Sequence, residues 1–293
     1  MQPNPLLKKL GLSATDRVVI FHADDIGMCQ ATVSAYADLA DFALLSSAAV
    51  MMPCPWSNAV GDYCREHQDR VDMGAHLTLT SEWSAYRWGP LSTRSQDTGF
   101  VDDGGMFFPR ESQAQEHGDP DAVYVELKAQ VERALAIGID LTHVDSHMGT
   151  LFHPRLLAAY QRIAQEYRLP ALMLRPHEAM KNSFGLGESL WELAQTAEAA
   201  GLPMMDAITL MSLNQHEERV AEAKTRLDQL PAGVSYFIIH PAKDTPELRA
   251  LAPDWRARVA DYELFLNEDW RKIVADSGVH VMGYRAIRDA IRA

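Results

Sequence analysis

The chain predicts an α/β fold, and three observations carry that expectation. Strand-like runs alternate with helical patterns seven or eight times, no shift in composition or low-complexity stretch interrupts them, and 293 residues fall within the range of a single α/β barrel. The first strand is RVVIFHA (17–23), a β-branched run, and the Ala-rich stretch from Ala31 to Leu45 follows as a helix. SSAAVMM (46–52) is the second strand, after which Ser57 can cap a helix running to His67. VDMGAHLTLT (71–80), IDLTHVD (139–145) and PALMLR (170–175) supply the third to fifth strands. A weaker sixth lies at Asp206–Leu210, a seventh is VSYFIIH (234–240) and an eighth is GVHVMGY (278–284). Helical patterns fill Asp121–Ile137, Pro154–Tyr167, Ser189–Ala200, Glu217–Leu230 and Trp255–Asp276. A barrel and a doubly wound sheet both satisfy this order, and either places functional side chains at the C-terminal ends of strands. The whole of 1–293 therefore reads as one domain.

One interval breaks the rhythm. Residues 80–117 are rich in Gly, Ser and Asp yet carry Trp83, Tyr86, Trp88, Phe100, Phe107 and Phe108. Flexible linkers seldom hold so many aromatics. The segment is expected either to pack its own hydrophobic cluster or to lie over a ligand, where indole faces suit the apolar faces of sugar rings.

The charge narrows the partners. With 27 Lys+Arg against 40 Asp+Glu the formal net charge is −13, which argues against binding nucleic-acid backbones or anionic membranes. Cys29, Cys54 and Cys64 form no CxxC pair and leave one over, so neither a disulfide framework nor a thiolate zinc site is indicated. The N-terminus has no signal-type apolar core, and no run of 18 apolar residues occurs, so a cytoplasmic protein is expected.

Four polar constellations sit where apolar strands end. In His22-Ala23-Asp24-Asp25 two adjacent carboxylates repel each other, which a metal or a ligand-and-base division of labour explains; a helix N-cap is the plainer alternative. His76, in MGAHL, is either a satisfied core histidine or a ligand. In Thr142-His143-Val144-Asp145-Ser146-His147, strand alternation puts His143, Asp145 and His147 on one face. That pattern suits a ligand at His147 with His143 or Asp145 orienting it, against the alternative of a His-rich loop. His240, before Pro241, has the rigid, half-buried placement a proton donor needs, and also that of a structural strand cap. Two imidazoles and a carboxylate converging on one rim form a familiar hydrolytic metal shell. No GxSxG, Walker A loop, GxGxxG after the first strand, or HExxH is present.

HADDIGM, MGAHLTLT, THVDSH and IIHP, in that order over residues 17–284, resemble the motifs of the YdjC-like carbohydrate deacetylases, the family of chito-oligosaccharide deacetylase. The resemblance implies an irregular (β/α) barrel of seven or eight strands related to polysaccharide deacetylases, a divalent metal, and removal of an N-acetyl group from an amino sugar. Carried over by position, it makes Asp25, His76 and His147 the metal ligands, Asp24 the general base and His240 the general acid. Two positions depart from the family pattern: His22 stands where asparagine is usual, and Met148-Gly149 follow His147 where the family often continues His-His.

The expected reaction is attack on the acetamide by a metal-activated water, Asp24 taking its proton and His240 protonating the departing amine. Arg175, ending the fifth strand, is expected either to orient Asp24 or to form a plain surface salt bridge. Zinc suits two imidazoles and a carboxylate, with magnesium, manganese or cobalt as alternatives. The expected partner is a small acetylated sugar or oligosaccharide, and a homodimer remains open. Two rival readings use the same residues: a metal-dependent phosphoesterase, which would release phosphate and not acetate, and a non-catalytic sugar-binding protein, whose binding would survive chelation.

Overall fold

The structure is a computed structural model describing residues 2–176 and 187–293. Among the described residues seven parallel strands form one sheet: β1 (Arg17–Ile26), β2 (Ser47–Val50), β3 (Met73–Leu77), β4 (Leu141–Ser146), β5 (Ala207–Leu210), β6 (Gly233–Ile239) and β7 (His280–Val281). Their order is β4-β3-β2-β1-β6-β5, and β7 joins the N-terminal part of β1 at Val18 and Val19. β1 lies inside that order, paired with β2 on one side and with β6 on the other. Every residue from Val18 to Ile26 is buried, as in a strand covered on both faces.

Most connections are helices. Examples are Gln30–Phe42 between β1 and β2, Ser57–Glu66 between β2 and β3, and Pro120–Ala136 leading into β4. The last of these starts where its sequence says it should: the Asp119 side chain accepts from the Ala122 amide and proline occupies the first turn. No described helix is long and apolar enough to cross a membrane.

The expected fifth strand is reduced to two single bridges, Val144↔Ala171 and Leu174↔Met205. Its sequence is PALMLRP, and the prolines at 170 and 176 remove a backbone donor at each end, which limits a continuous ladder. The segment still does the work of a strand. Leu172 donates to the Val144 carbonyl at 3.0 Å, Met205 and the 173–175 segment exchange two bonds of 2.8 Å, and Asp206 donates to Val234 of β6 at 2.7 Å. Backbone pairing thus runs from β4 through residues 170–175 and 205–206 to β6, closing the sheet irregularly. The eighth expected strand is the two-residue β7. The single helix expected over Trp255–Asp276 is two, Trp255–Phe265 and Glu268–Asp276. Asn267 separates them, its side-chain oxygen accepting from the Asp269 and Trp270 amides at 2.8 and 3.0 Å.

Phe21 of β1 anchors the core. Its ring meets Phe237, Phe265 and Trp270 edge-on, with centroids 5.3, 5.2 and 6.3 Å away, tying the sheet to both of those helices. Residues 80–117 are packed as well: Phe100, Phe107 and Trp88 are buried, and Val101 bridges Phe107 in antiparallel fashion. Trp83, Tyr86 and Trp88 form an aromatic group whose Trp88 ring lies 6.3 Å from that of His147. The segment is therefore both a small hydrophobic cluster and a wall beside the polar strand ends.

Candidate active site

Asp24 and Asp25 close β1, His76 nears the end of β3, His147 begins the turn after β4 and His240 follows β6. All five meet at the C-terminal edge of the sheet. Adjacent strand residues normally face opposite ways, so an explanation is needed for two aspartates sharing one site. Asp25 has φ of 63°, in the left-handed region, and the β1–β2 register shifts between Ala23 and Ile26. The irregularity turns both carboxylates inward, and Asp tolerates that backbone better than most residues.

Asp25 Oδ1 lies 3.1 Å from His147 Nδ1 and 3.4 Å from His76 Nε2, and the two imidazole nitrogens are 3.2 Å apart. The outer nitrogens are already committed. His76 Nδ1 donates to Asp145 Oδ1 at 2.8 Å, and His147 Nε2 donates to Glu82 Oε1 at 3.0 Å. Neutral rings held this way turn two bare nitrogens toward a buried carboxylate oxygen that has no hydrogen-bond partner of its own. Three lone pairs facing one another require a cation among them. The spacings match the edges, about 3.3 Å, of a tetrahedral shell with ligand bonds of about 2.0–2.1 Å. These donors fit a divalent metal, and the same three atoms form a group able to hold one. Asp24–His76–Asp145 and His22–His143–Asp145 make two further such groups, so Asp145 and His76 are shared.

The electrostatics agree. Burial works against charge on Asp25, but the Arg258 guanidinium and the His147 imidazole hold its carboxyl well below the usual range. Burial likewise opposes charge on His147, yet Glu82 and Asp25 outweigh it and raise the imidazole to about 9. His76 is raised well above its ordinary value by Asp145 and Asp24, again against burial. The site binds positive charge, as protons where no metal supplies it.

His240 is half-buried, with Nε2 3.9 Å from Asp24 Oδ2 and no partner for its buried Nδ1. Burial lowers its pKa, and the nearby Asp25 and Asp24 do not fully offset that. Its backbone amide donates to Asp261 Oδ2 at 2.9 Å, fixing the strand end.

Arg175 does not join this group. Its guanidinium binds Asp206 Oδ1 at 2.8 Å and Glu198 Oε1 at 2.6 Å, and donates to the Gln2 carbonyl at 3.1 Å, so it ties residues 170–175 to the 205–206 segment and does not orient Asp24. The arginine that faces the aspartate pair is Arg258, whose Nη1 lies 2.8 Å from Asp25 Oδ2 and whose Nε lies 2.9 Å from Asp254. Asp145 orients His76, not His147, whose partner is Glu82. Arg258 sits mid-helix in Trp255–Phe265 and Glu82 in the loop after β3, so neither carries a strand-end signal. Only their charge beside the strand ends, buried in Arg258 and partly buried in Glu82, marks them.

Fold and site together define a parallel α/β protein with a buried carboxylate–imidazole cluster at its strand ends, able to hold a metal. Residues 18–276 match the family described as YdjC-like protein, and the chain belongs to that family. It is 34% identical over 290 residues to a carbohydrate deacetylase of Thermus thermophilus, covering 98% of this chain and 99% of the relative. A carbohydrate deacetylase of Thermoanaerobacter pseudethanolicus is 21% identical over 277 residues, 93% of this chain and all of the relative. Among solved structures, a candidate cellobiose-phosphate cleavage protein of Enterococcus faecalis superposes with a TM-score of 0.77 at 20% identity, covering 93% of this chain and 99% of that one, a likeness of fold.

Proposed function

We propose that this protein is a metal-dependent carbohydrate deacetylase that hydrolyses the N-acetyl group of an amino sugar or short oligosaccharide. The observation that carries the reading is the convergence of Asp25 Oδ1, His76 Nε2 and His147 Nδ1 beside a second, differently bonded carboxylate, Asp24. The full-length likeness to carbohydrate deacetylases supports the substrate class.

In this reading Asp25, His76 and His147 hold the metal, with zinc suited to the donor set and magnesium, manganese or cobalt able to substitute. When bound, the metal supplies an acidified water and polarises the acetamide carbonyl. Asp24 is left free to act as general base, its Oδ2 turned toward His240. His240 enters the reaction neutral, because burial depresses its pKa. The 3.9 Å between Asp24 Oδ2 and His240 Nε2 is the span of one bridging water, through which the proton that Asp24 takes reaches His240, which delivers it to the departing amine. Arg258 keeps Asp25 ionised, and the partly exposed Trp83 and Tyr86, backed by the buried Trp88, offer apolar faces to a sugar ring.

The test is acetate release from N-acetylglucosamine oligomers and related acylated sugars, run on chelated protein and after restoring each metal. Metal-dependent acetate release is expected. Phosphate release without acetate, or sugar binding indifferent to chelation, would overturn the reading.

A further inference from the structure

The proposed reaction leaves one buried pair of histidines unused. His22 and His143 are completely buried inside the sheet beneath the site, with Nε2 atoms 2.9 Å apart, so one proton lies between the two rings. The other nitrogen of His22 lies 2.7 Å from Asp24 Oδ1. The other nitrogen of His143 lies 3.0 Å from Thr142 Oγ1, and that hydroxyl is 2.7 Å from Asp72 Oδ1. A single file of polar groups thus runs Asp72, Thr142, His143, His22, Asp24.

With Asp24 ionised, as a general base must be, two arrangements of protons satisfy every link. With Asp72 ionised, Thr142 donates to it, His143 Nδ1 donates to Thr142, and His22 donates through both nitrogens, to His143 and to Asp24. With Asp72 protonated the three lower links reverse, and His143 Nε2 donates to a neutral His22. Both contain the same number of protons, and in both His22 Nδ1–H points at Asp24. Packing holds both rings in place. His22 lies against Tyr236, centroids 4.7 Å apart, and His143 stacks on Tyr284 at 4.0 Å and 14°. Gly74 makes the room, since a Cβ there would overlap the His143 ring.

We propose that His22, held by His143, is a positioning residue for Asp24: its Nδ1–H fixes Oδ1 so that Oδ2 faces His76 and His240, at 3.8 and 3.9 Å. The consequence for turnover rests on the base role proposed for Asp24; the hydrogen bond does not. An asparagine at 22 keeps a donor at the same reach from the backbone, whereas phenylalanine fills the space without one.

The experiment compares His22→Phe and His22→Asn on N-acetylglucosamine oligomers and records ¹⁵N-histidine spectra of the native protein. His22→Phe is expected to lower kcat by about 10- to 100-fold, with KM and bound metal per chain within about threefold of native. His22→Asn is expected to stay within about threefold of native in all three. The spectrum should show His22 Nδ1 protonated and His143 with a single N–H. Full kcat in His22→Phe, or a His22 ring unprotonated at Nδ1, would overturn the proposal. If the native protein releases no acetate, the deacetylase reading fails by itself, and the His22 nitrogen signal still decides the hydrogen bond, as it does if His22→Phe does not fold.

Discussion

Asp145→Asn tests the site at the point where the structure is most demanding. Asp145 is almost fully buried, accepts from His76 Nδ1 at 2.8 Å and from the Tyr236 hydroxyl at 2.9 Å, and lies 3.6 Å from His22 Nε2. Asparagine keeps the shape and one acceptor but removes the charge that fixes the His76 tautomer and strengthens its Nε2 as a donor to metal. A hydrogen bond to a charged group contributes about 1.5–3 kcal/mol. Losing the charged part of it corresponds to roughly a 10- to 100-fold weaker metal affinity, the usual size of effect when the partner of a ligating histidine is changed. The assay is competition between the protein and a chromophoric chelator, using zinc and then manganese, with circular dichroism confirming a native fold. Affinity within twofold of native for both metals would refute the assignment of His76 as a ligand oriented by Asp145.

Three further outcomes are expected. Asp24→Asn should retain bound metal and lose about 10²–10⁴-fold in kcat for acetate release; unchanged turnover would remove Asp24 from the role of base. Because His147 is raised to about 9 in the metal-free site, it contributes stability that is complete below its unfolded pKa of about 6.5 and is lost as pH rises through about 9. Thermal melts between pH 6.5 and 9 should therefore show the metal-free protein losing part of its stability while the stabilisation by added metal grows, since metal must displace that proton. A metal-induced shift in Tm that is flat with pH would contradict this. Phe21→Ala, which empties the contact among Phe237, Phe265 and Trp270, should cost about 3–5 kcal/mol in urea unfolding, and a loss below about 1 kcal/mol would show that β1 is not the anchor described.

The sequence by itself determined the parallel α/β class, because alternating strand and helix patterns admit few other arrangements and an apolar run such as Val18–Phe21 must lie between two covered faces. It also marked Asp24, Asp25, His76, His147 and His240, since polar groups that end buried strands stand out against their apolar surroundings. What it left unmarked are the groups that reach the site from elsewhere in the chain. Arg258 arrives from a helix 233 residues after Asp25, and Glu82 from a loop 65 residues before His147, and neither spacing has a local signature. Arg175 shows the reverse: it sits at the end of a strand-like run, as a site residue would, but its side chain closes the sheet against Asp206. Which nitrogen of each histidine faces the site, and that two neighbouring aspartates face it together, depend on a left-handed backbone at Asp25 and on partners from β4 and the 80–117 segment. Strand order and side-chain type are local properties of the chain, whereas a shared buried charge exists only once distant segments have packed around it.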